Sequence, residues 1–326
     1  MDRRSFVAGL AALGGSALAG RAGAAPRRSR VALVRARDRA GGIREALALL
    51  QPPSWQGRRL FVKPNFNSAD PFPGSTHPET LRALCRALLE GGAAGLALGD
   101  RSGMGDTRAI MKQKGILDLA RELGAEPHVF DELPAEGWVR QTVPGMHWSR
   151  GFALARPALD ADGIVQTCCL KTHRFGGHFT LSLKNSIGLV AKRIPGDDHD
   201  YMRELHGSPD QRRMIAEVNA AYRPLFVVMD ALEAFVDGGP DAGRKVAPGL
   251  ILASVDRVAL DAVGVAILRR HGTTPEVSRG PIFALEQLAR AAELGLGART
   301  AEEVEIVTSS ASARDEVRRL SEALAA

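Results

Sequence analysis

Short apolar runs alternate with longer amphipathic segments along most of this chain. The short runs are typical of buried strands, and the amphipathic segments, whose apolar residues recur with the period of a helix, predict helices. Strands are predicted at residues 30–35, 59–63, 95–98, 126–130, 163–168, 225–229, 250–253 and 304–307. Helices are predicted at residues 43–50, 78–90, 107–112, 115–123, 211–221, 256–270, 281–293 and 313–324.

This alternation predicts an α/β fold, with a mostly parallel sheet between two layers of helices, three layers in all. A small antiparallel excursion is expected near residues 138–154. Residues 194–207 are charged and lack periodicity, which favours a loop or lid. We expect residues 26–326 to form a single domain of this type.

The first 25 residues have the features of an export signal rather than of a folded domain. Arg3 and Arg4 precede a modestly apolar run at residues 8–20, and a small-residue cleavage site follows at residues 22–24. The run is shorter than the roughly 18 residues that a membrane-spanning helix needs. The pattern therefore predicts a twin-arginine signal, with the twin-arginine export machinery as a partner. We expect a periplasmic or otherwise exported protein without stable membrane insertion after cleavage; the alternative is an uncleaved anchor.

Charge and cysteine content exclude two classes of function. The formal net charge is +6, but the basic residues are scattered and are not interleaved with aromatic residues, so nucleic acid is not an expected partner. The three cysteines, Cys85, Cys168 and Cys169, form no C-x-x-C motif. No iron–sulfur cluster is therefore expected, and strand packing is favoured for the adjacent pair over a vicinal disulfide.

Polar side chains follow several of the predicted strands, where ligands bind in open α/β sheets. These residues are Lys63 and Asn65, Asp100 and Ser102, Lys171 and His173, Asp230, and Ser254 with Asp256. Singly, each has a structural alternative: Asp100 suits an Asx-turn, Asp256 a helix cap and Lys63 an exposed surface. Their recurrence at so many strand ends favours one shared cleft.

Lys184 stands inside a mainly apolar segment, residues 180–190, beside Asn185. A lysine held in a dry site needs an anionic partner or loses its charge, whereas a surface lysine keeps its ammonium in water. We expect Lys63, Lys171 and Lys184 to converge on one pocket for a small anion. His173, Lys171, Lys184 and Asp230 are the catalytic candidates, and Lys63, Asn65, Asp100, Ser102 and Asn185 are the candidates for binding a cofactor or substrate.

His173 and His178 are separated by a loop that contains Gly176 and Gly177. The glycines let the loop fold back, so both imidazoles can face one point. With carboxylates from other strand ends, such a pair suits a divalent metal such as zinc, iron, manganese or nickel. The competing role for His173 is that of a hydrogen-bond donor or general acid/base toward a bound anion.

A set of short motifs resembles the domain-of-unknown-function-362 family over most of the chain after the signal. The motifs lie at residues 62–65 (Val-Lys-Pro-Asn), 75–79 (Ser-Thr-His-Pro-Glu), 99–103 (Gly-Asp-Arg-Ser-Gly), 170–173 (Leu-Lys-Thr-His), 183–188 (Leu-Lys-Asn-Ser-Ile-Gly) and 256–261 (Asp-Arg-Val-Ala-Leu-Asp). The resemblance implies no established reaction. Many relatives add a ferredoxin-like segment, whose cysteines are not found in this chain.

Three classes of function stay open at this point. The first is an enzyme that acts on a small anionic or carbonyl substrate, with lysines as an electrostatic clamp and a histidine or aspartate as acid/base. The second is a periplasmic solute- or cofactor-binding protein without turnover. The third is an accessory protein of a redox system. The first predicts a partly dry cleft that contains a perturbed base.

Overall fold

A computed structural model describes residues 28–326, so the predicted export signal lies outside the described residues. The strands are β1 (Ser29–Arg35), β2 (Arg59–Lys63), β3 (Gly95–Asp100), β4 (Glu126–Val129), β5 (Trp138–Gln141), β6 (Phe152–Ala155), β7 (Gly163–His173), β8 (His178–Thr180), β9 (Pro224–Phe235), β10 (Lys245–Val246), β11 (Leu250–Ser254) and β12 (Val304–Val307).

The helices are α1 (Arg39–Leu50), α2 (Pro78–Glu90), α3 (Thr107–Gln113), α4 (Ile116–Glu122), α5 (Arg156–Leu159), α6 (Ser182–Asn185), α7 (Tyr201–Gly207), α8 (Gln211–Val218), α9 (Arg257–Arg270), α10 (Pro275–Ser278), α11 (Glu286–Glu293) and α12 (Arg314–Ala325). Each predicted strand and helix has a counterpart. The segment predicted as a loop contains α7, which the side chain of Asp200 caps by accepting a hydrogen bond from the amide of Arg203 at 2.9 Å.

The main sheet has the strand order β12-β1-β11-β9-β7-β2-β3-β4, with β8 and β10 attached to β7 and β9. Neighbours from β9 to β4 are parallel, as are β1 and β12, whereas β11 runs antiparallel to both β1 and β9. The predicted α/β fold with a mostly parallel sheet is thereby confirmed. The excursion is also confirmed, as a separate antiparallel pair of β5 and β6.

Alternate residues of the strands pack on opposite faces of the sheet, as expected for buried strands. Val31 and Leu33 of β1 belong to a core with α9, α11 and α12. Ala32 and Val34 belong to a second core with α1, α2, α3 and α4. Helices therefore cover both faces, and the three predicted layers are present.

Strand β11 corrects one part of the predicted cleft. Because β11 runs against its neighbours, its carboxyl end lies at the opposite edge of the sheet, where Ser254 pairs with Val31 and Val227. Asp256 is the N-cap of α9 and accepts hydrogen bonds from Val258 and Ala259 amides at 2.8 and 3.0 Å. The helix-cap alternative for Asp256 was the right one, and neither residue belongs to the cleft.

Strands β7 and β9 extend well beyond their predicted ends. Lys171 and His173 lie within β7, where they pair with Thr180 and His178 of β8 across a hairpin. Asp230 lies in the middle of β9 rather than after it. The predicted strands were ended at these polar residues because the apolar pattern is lost there. In the structure, neighbouring strands supply hydrogen bonds that let the backbone continue as a strand.

Within residues 28–326, no helix is both long and apolar enough to cross a membrane. Cys85, Cys168 and Cys169 are buried and form no disulfide. Burial raises the pKa of Cys169 to about 11 and that of Cys85 to about 12. These thiols are thus protonated at neutral pH, which agrees with the prediction that they pack in the core.

Candidate functional site

A cleft of about 590 Å³ opens beyond the carboxyl ends of β2 and β3 and beside the end of β7. Most of the residues predicted for a site line it: Lys63, Asn65, Asp100, His173, Lys184 and Asn185. The opposite wall comes from residues 187–206, including α7. Parallel strands bring their carboxyl ends to one edge, which is why residues distant in sequence meet here.

Lys63 is completely buried and its ammonium contacts three acceptors. Its Nζ lies 2.8 Å from the Asp100 carboxylate, 2.6 Å from the carbonyl of Pro64 and 3.2 Å from Asn185 Oδ1. Asp100 also accepts hydrogen bonds from the amides of Phe66 and Arg101 at 2.6 and 2.8 Å. Burial lowers the pKa of Lys63 and raises that of Asp100, while their contact opposes both shifts. This pair is a buried structural element of the cleft wall.

Lys171 lies behind the cleft rather than in it. Its Nζ donates to Asn65 Oδ1 at 3.0 Å, to the carbonyl of Pro240 at 3.2 Å and to the carbonyl of Gly74. A lysine ammonium has three donors, so the protein itself accepts all of them. Lys171 thus orients Asn65. Its contacts favour this structural role over the predicted direct contact with a ligand.

Lys184 differs from the other two lysines. Its side chain is 8% exposed and faces the cleft, yet within the described residues its ammonium has no hydrogen-bond acceptor or carboxylate partner. Burial, reinforced by the charges of Lys171 and Arg101, lowers the pKa of Lys184 to about 7. A cation in this position is stabilised by any anion that enters the cleft.

The backbone beneath Lys184 is fixed by Asp261, which is not among the predicted site residues. Its carboxylate accepts hydrogen bonds from the Ser182 amide at 2.8 Å, the Ser182 hydroxyl at 2.6 Å and the Leu183 amide at 2.9 Å. Burial raises the pKa of Asp261 to about 7. Since Ser182 and Leu183 begin α6, which carries Lys184, Asp261 sets the position of that lysine. Asp261 could have been identified from the sequence, because it is the last residue of the motif at residues 256–261.

His173 lies close to Lys184 at the end of β7. A Cβ on Gly177 would lie 2.6 Å from Lys184 Cε and 3.0 Å from His173 Nδ1. The separation of Cε and Nδ1 therefore cannot exceed the sum of these two distances. His173 Nδ1 is buried and has no hydrogen-bond partner. Burial, together with the charges of Lys184 and Lys171, lowers the pKa of His173 far below its usual value, so its imidazole is neutral.

Arg101 is a second cleft residue that sequence reasoning missed, although it stands in the Gly-Asp-Arg-Ser-Gly motif. Its guanidinium donates to the carbonyls of Val190 at 2.9 Å and Ile187 at 2.7 Å. It also contacts the carbonyl of Ser102 and the sulfur of Met202. Arg101 therefore ties the wall formed by residues 187–202 to the sheet and adds a positive charge without a salt bridge to a carboxylate.

Besides Lys171, the structure places Asp230 and Ser102 outside the cleft. Asp230 accepts hydrogen bonds from Arg39 Nε at 2.9 Å and from the Thr80 hydroxyl, on the face covered by α1 and α2. Ser102 is buried, and its amide donates to Thr107 Oγ1 at 2.9 Å. The Asp230 carboxylate is directed toward α1 and α2, and Ser102 is not among the residues that line the cleft.

His178 is a further predicted residue that lies outside the cleft. It is paired with His173 across the hairpin, but its backbone has a φ of 62° and only His173 lines the cleft. Within residues 28–326, no group of three or more His, Cys, Asp or Glu side chains could hold a metal ion. Among these residues the predicted histidine pair therefore has no further ligands beside it.

The profile of the family described as "Domain of unknown function (DUF362)" matches residues 60–266. The chain belongs to this family, as its motifs had indicated, and the match spans all the cleft residues discussed above. The family description assigns no reaction.

One relative is a thylakoid-associated protein of Synechocystis sp., with 28% identity over 67% of this chain and 65% of the relative. A solved structure of the lactate racemase apoprotein from Thermoanaerobacterium thermosaccharolyticum aligns with a TM-score of 0.43 and 16% identity, over 72% of this chain and 56% of that protein. The chain therefore spans less than two thirds of the length of either protein.

Proposed function

We propose that the cleft binds a small organic anion and that the protein is an enzyme acting on it. The observation that carries this proposal is Lys184, a largely buried residue whose ammonium faces the cleft and has no acceptor within the described residues. Lys63 and Lys171 give the contrast, because each is saturated by three acceptors of the protein. A buried cation without a partner is costly unless a ligand compensates it.

The charge balance of the cleft supports an anionic ligand. Three of its cations have carboxylate partners: Lys63 with Asp100, Lys192 with Asp131 at 3.1 Å, and Arg193 with Asp200 at 2.9 Å. Lys184 and Arg101 remain without a salt bridge to a carboxylate. The excess of positive charge attracts an anion and positions it against the inner wall.

The neighbourhood of Lys184 favours catalysis over binding without turnover. Lys184, with a pKa of about 7, is able to accept or donate a proton near neutral pH. His173 is neutral and lines the cleft beside it, so its imidazole is able to form a hydrogen bond with a bound molecule. A titratable amine next to a neutral imidazole suits proton transfer to a bound molecule.

Calorimetric titration of the full chain with pyruvate and acetate tests this proposal. We expect saturable binding by the wild type, and weakening by about 10-fold or more in Lys184→Met, since a charge-assisted hydrogen bond is worth roughly 1.5–3 kcal/mol. Lys184→Arg should retain part of the affinity because it keeps the charge. Lys245→Met is the matched control, since that lysine is exposed and pairs with Glu233 at 3.2 Å. Equal affinity of wild type and Lys184→Met would contradict the proposal.

We further propose that the protein acts outside the cytoplasm after twin-arginine export. The support is the pair Arg3 and Arg4 ahead of a short, modestly apolar run. The twin-arginine route carries folded proteins, so the anion site would be assembled before export.

A further inference from the structure

We infer that the anion bound in the cleft carries a ketone or aldehyde carbonyl, and that Lys184 forms an imine with it. The inference rests on the proposed function, because it assigns the chemistry of the same site. Lys184 presents a primary amine to a cleft of about 590 Å³, and no described residue accepts a hydrogen bond from it.

The three buried lysines of this region are not equivalent as nucleophiles. An amine attacks a carbonyl through its nitrogen lone pair, which is free only in the unprotonated state. Lys63 contacts a carboxylate, and Lys171 donates to three oxygens, so the nitrogen of each is engaged by the protein and is not presented to a ligand. Lys184 has no such contact, and the pKa of about 7, lowered by burial and by the charges of Lys171 and Arg101, leaves much of it as free amine at neutral pH.

Two neighbouring features suit the rest of the reaction. Arg101 supplies a fixed positive charge that attracts the carboxylate of a 2-oxo acid. The neutral imidazole of His173 lies beside Lys184, where it is able to hydrogen-bond a reacting group. Gly177 permits this approach, because a Cβ at that position would contact both side chains.

The step balances without an oxidant, a reductant or a further reactant. The Lys184 nitrogen forms a bond to the carbonyl carbon, and one proton moves from nitrogen to the former carbonyl oxygen to give a carbinolamine. A second proton from nitrogen then leaves with the hydroxyl group as water, and the carbon–nitrogen double bond forms. The Lys184 nitrogen supplies both protons, and the neutral imidazole of His173 beside it is able to hydrogen-bond the hydroxyl group that forms.

Reductive trapping tests the inference. The full chain is incubated with pyruvate or glyoxylate, treated with sodium borohydride, and examined by intact mass spectrometry and peptide mapping. We expect one reduced adduct per chain, located on Lys184, with a yield that rises between about pH 6 and pH 8 as the amine loses its proton. Lys184→Arg should give no such adduct although it keeps a cation, and Lys245→Met should react like the wild type.

Calorimetry on the same samples separates two kinds of failure. Saturable binding of the 2-oxo acids without an adduct on Lys184 would overturn the imine and leave the anion site standing. An adduct spread equally over exposed lysines, and unchanged in Lys184→Arg, would also overturn it. Absence of binding by any of these anions would overturn the proposed function and the imine together.

Discussion

The Lys63 ammonium lies 2.8 Å from the Asp100 carboxylate, and neither side chain has significant contact with solvent. The two residues end neighbouring parallel strands, and each has further hydrogen-bond partners of its own. The pair thus forms a buried, structural part of the cleft wall. By contrast, Lys184 has no acceptor among the described residues. We therefore expect substitution of Lys63 and substitution of Lys184 to change the stability of the protein in opposite directions.

Lys63→Met should strongly destabilise the protein, because it leaves Asp100 buried without its partner. The expected loss in the free energy of unfolding is about 3–5 kcal/mol, as for other buried pairs that lose one member. Lys63→Met combined with Asp100→Asn should cost less than the sum of the single changes. Denaturant unfolding measures both. Lys192→Met, in a partly exposed pair, is the comparison and should cost less than about 1 kcal/mol. If the free-energy losses of Lys63→Met and Asp100→Asn were additive in the double variant, the two residues would not be coupled.

Lys184→Met should leave the melting temperature unchanged or raise it, because it removes a buried cation without a partner. The effect should depend on pH in a defined way. The folded-state pKa of about 7 lies below the unfolded value of about 10.4, so wild-type stability rises as pH increases between these values. The advantage of the variant should therefore be largest below about pH 7 and vanish above about pH 10.4. Thermal melts of both proteins across this range measure it, and a constant difference would exclude a depressed pKa for Lys184.

Gly188→Ala should disrupt the cleft, because a Cβ there would lie 2.6 Å from Lys63 Nζ and would also clash with Asp100. We expect a loss of about 1–3 kcal/mol in stability, as for other overpacked interiors, and weakened anion binding. Gly95→Ala is the matched control, since nothing lies within 4 Å of a Cβ at that position. Denaturant unfolding and calorimetry measure the two effects. Normal stability of Gly188→Ala would show that the cleft wall yields without cost.

Replacement of Arg3 and Arg4 by lysine should block export, and the mature protein should begin near Ala25. The physical basis is that the twin-arginine machinery recognises the arginine pair, which lysine does not replace. Fractionation of host cells and N-terminal sequencing of the exported protein measure these outcomes. Normal export of the double variant, or an exported protein that retains Met1, would reject the signal.

The sequence alone was enough to predict the family and most of the longer strands and helices, although it missed short elements such as α6, α7 and β8. Apolar periodicity reports how each segment is buried, and that property is local, so strands such as β2 and helices such as α2 were found at their observed bounds. Strand position also predicted much of the cleft. Lys63, Asp100 and His173 were predicted at the carboxyl ends of strands, and all three line the cleft.

The tertiary structure decided which of the polar residues face a ligand. Strand direction placed Ser254 at the far edge of the sheet, and contacts with Arg39 and Thr80 withdrew Asp230 from the cleft. Hydrogen bonds from Lys171 to Asn65, Gly74 and Pro240 made that lysine structural. These outcomes depend on groups that are distant in sequence, and periodicity carries no information about them. The same long-range contacts leave Lys184 as the buried cation for which the described chain supplies no partner.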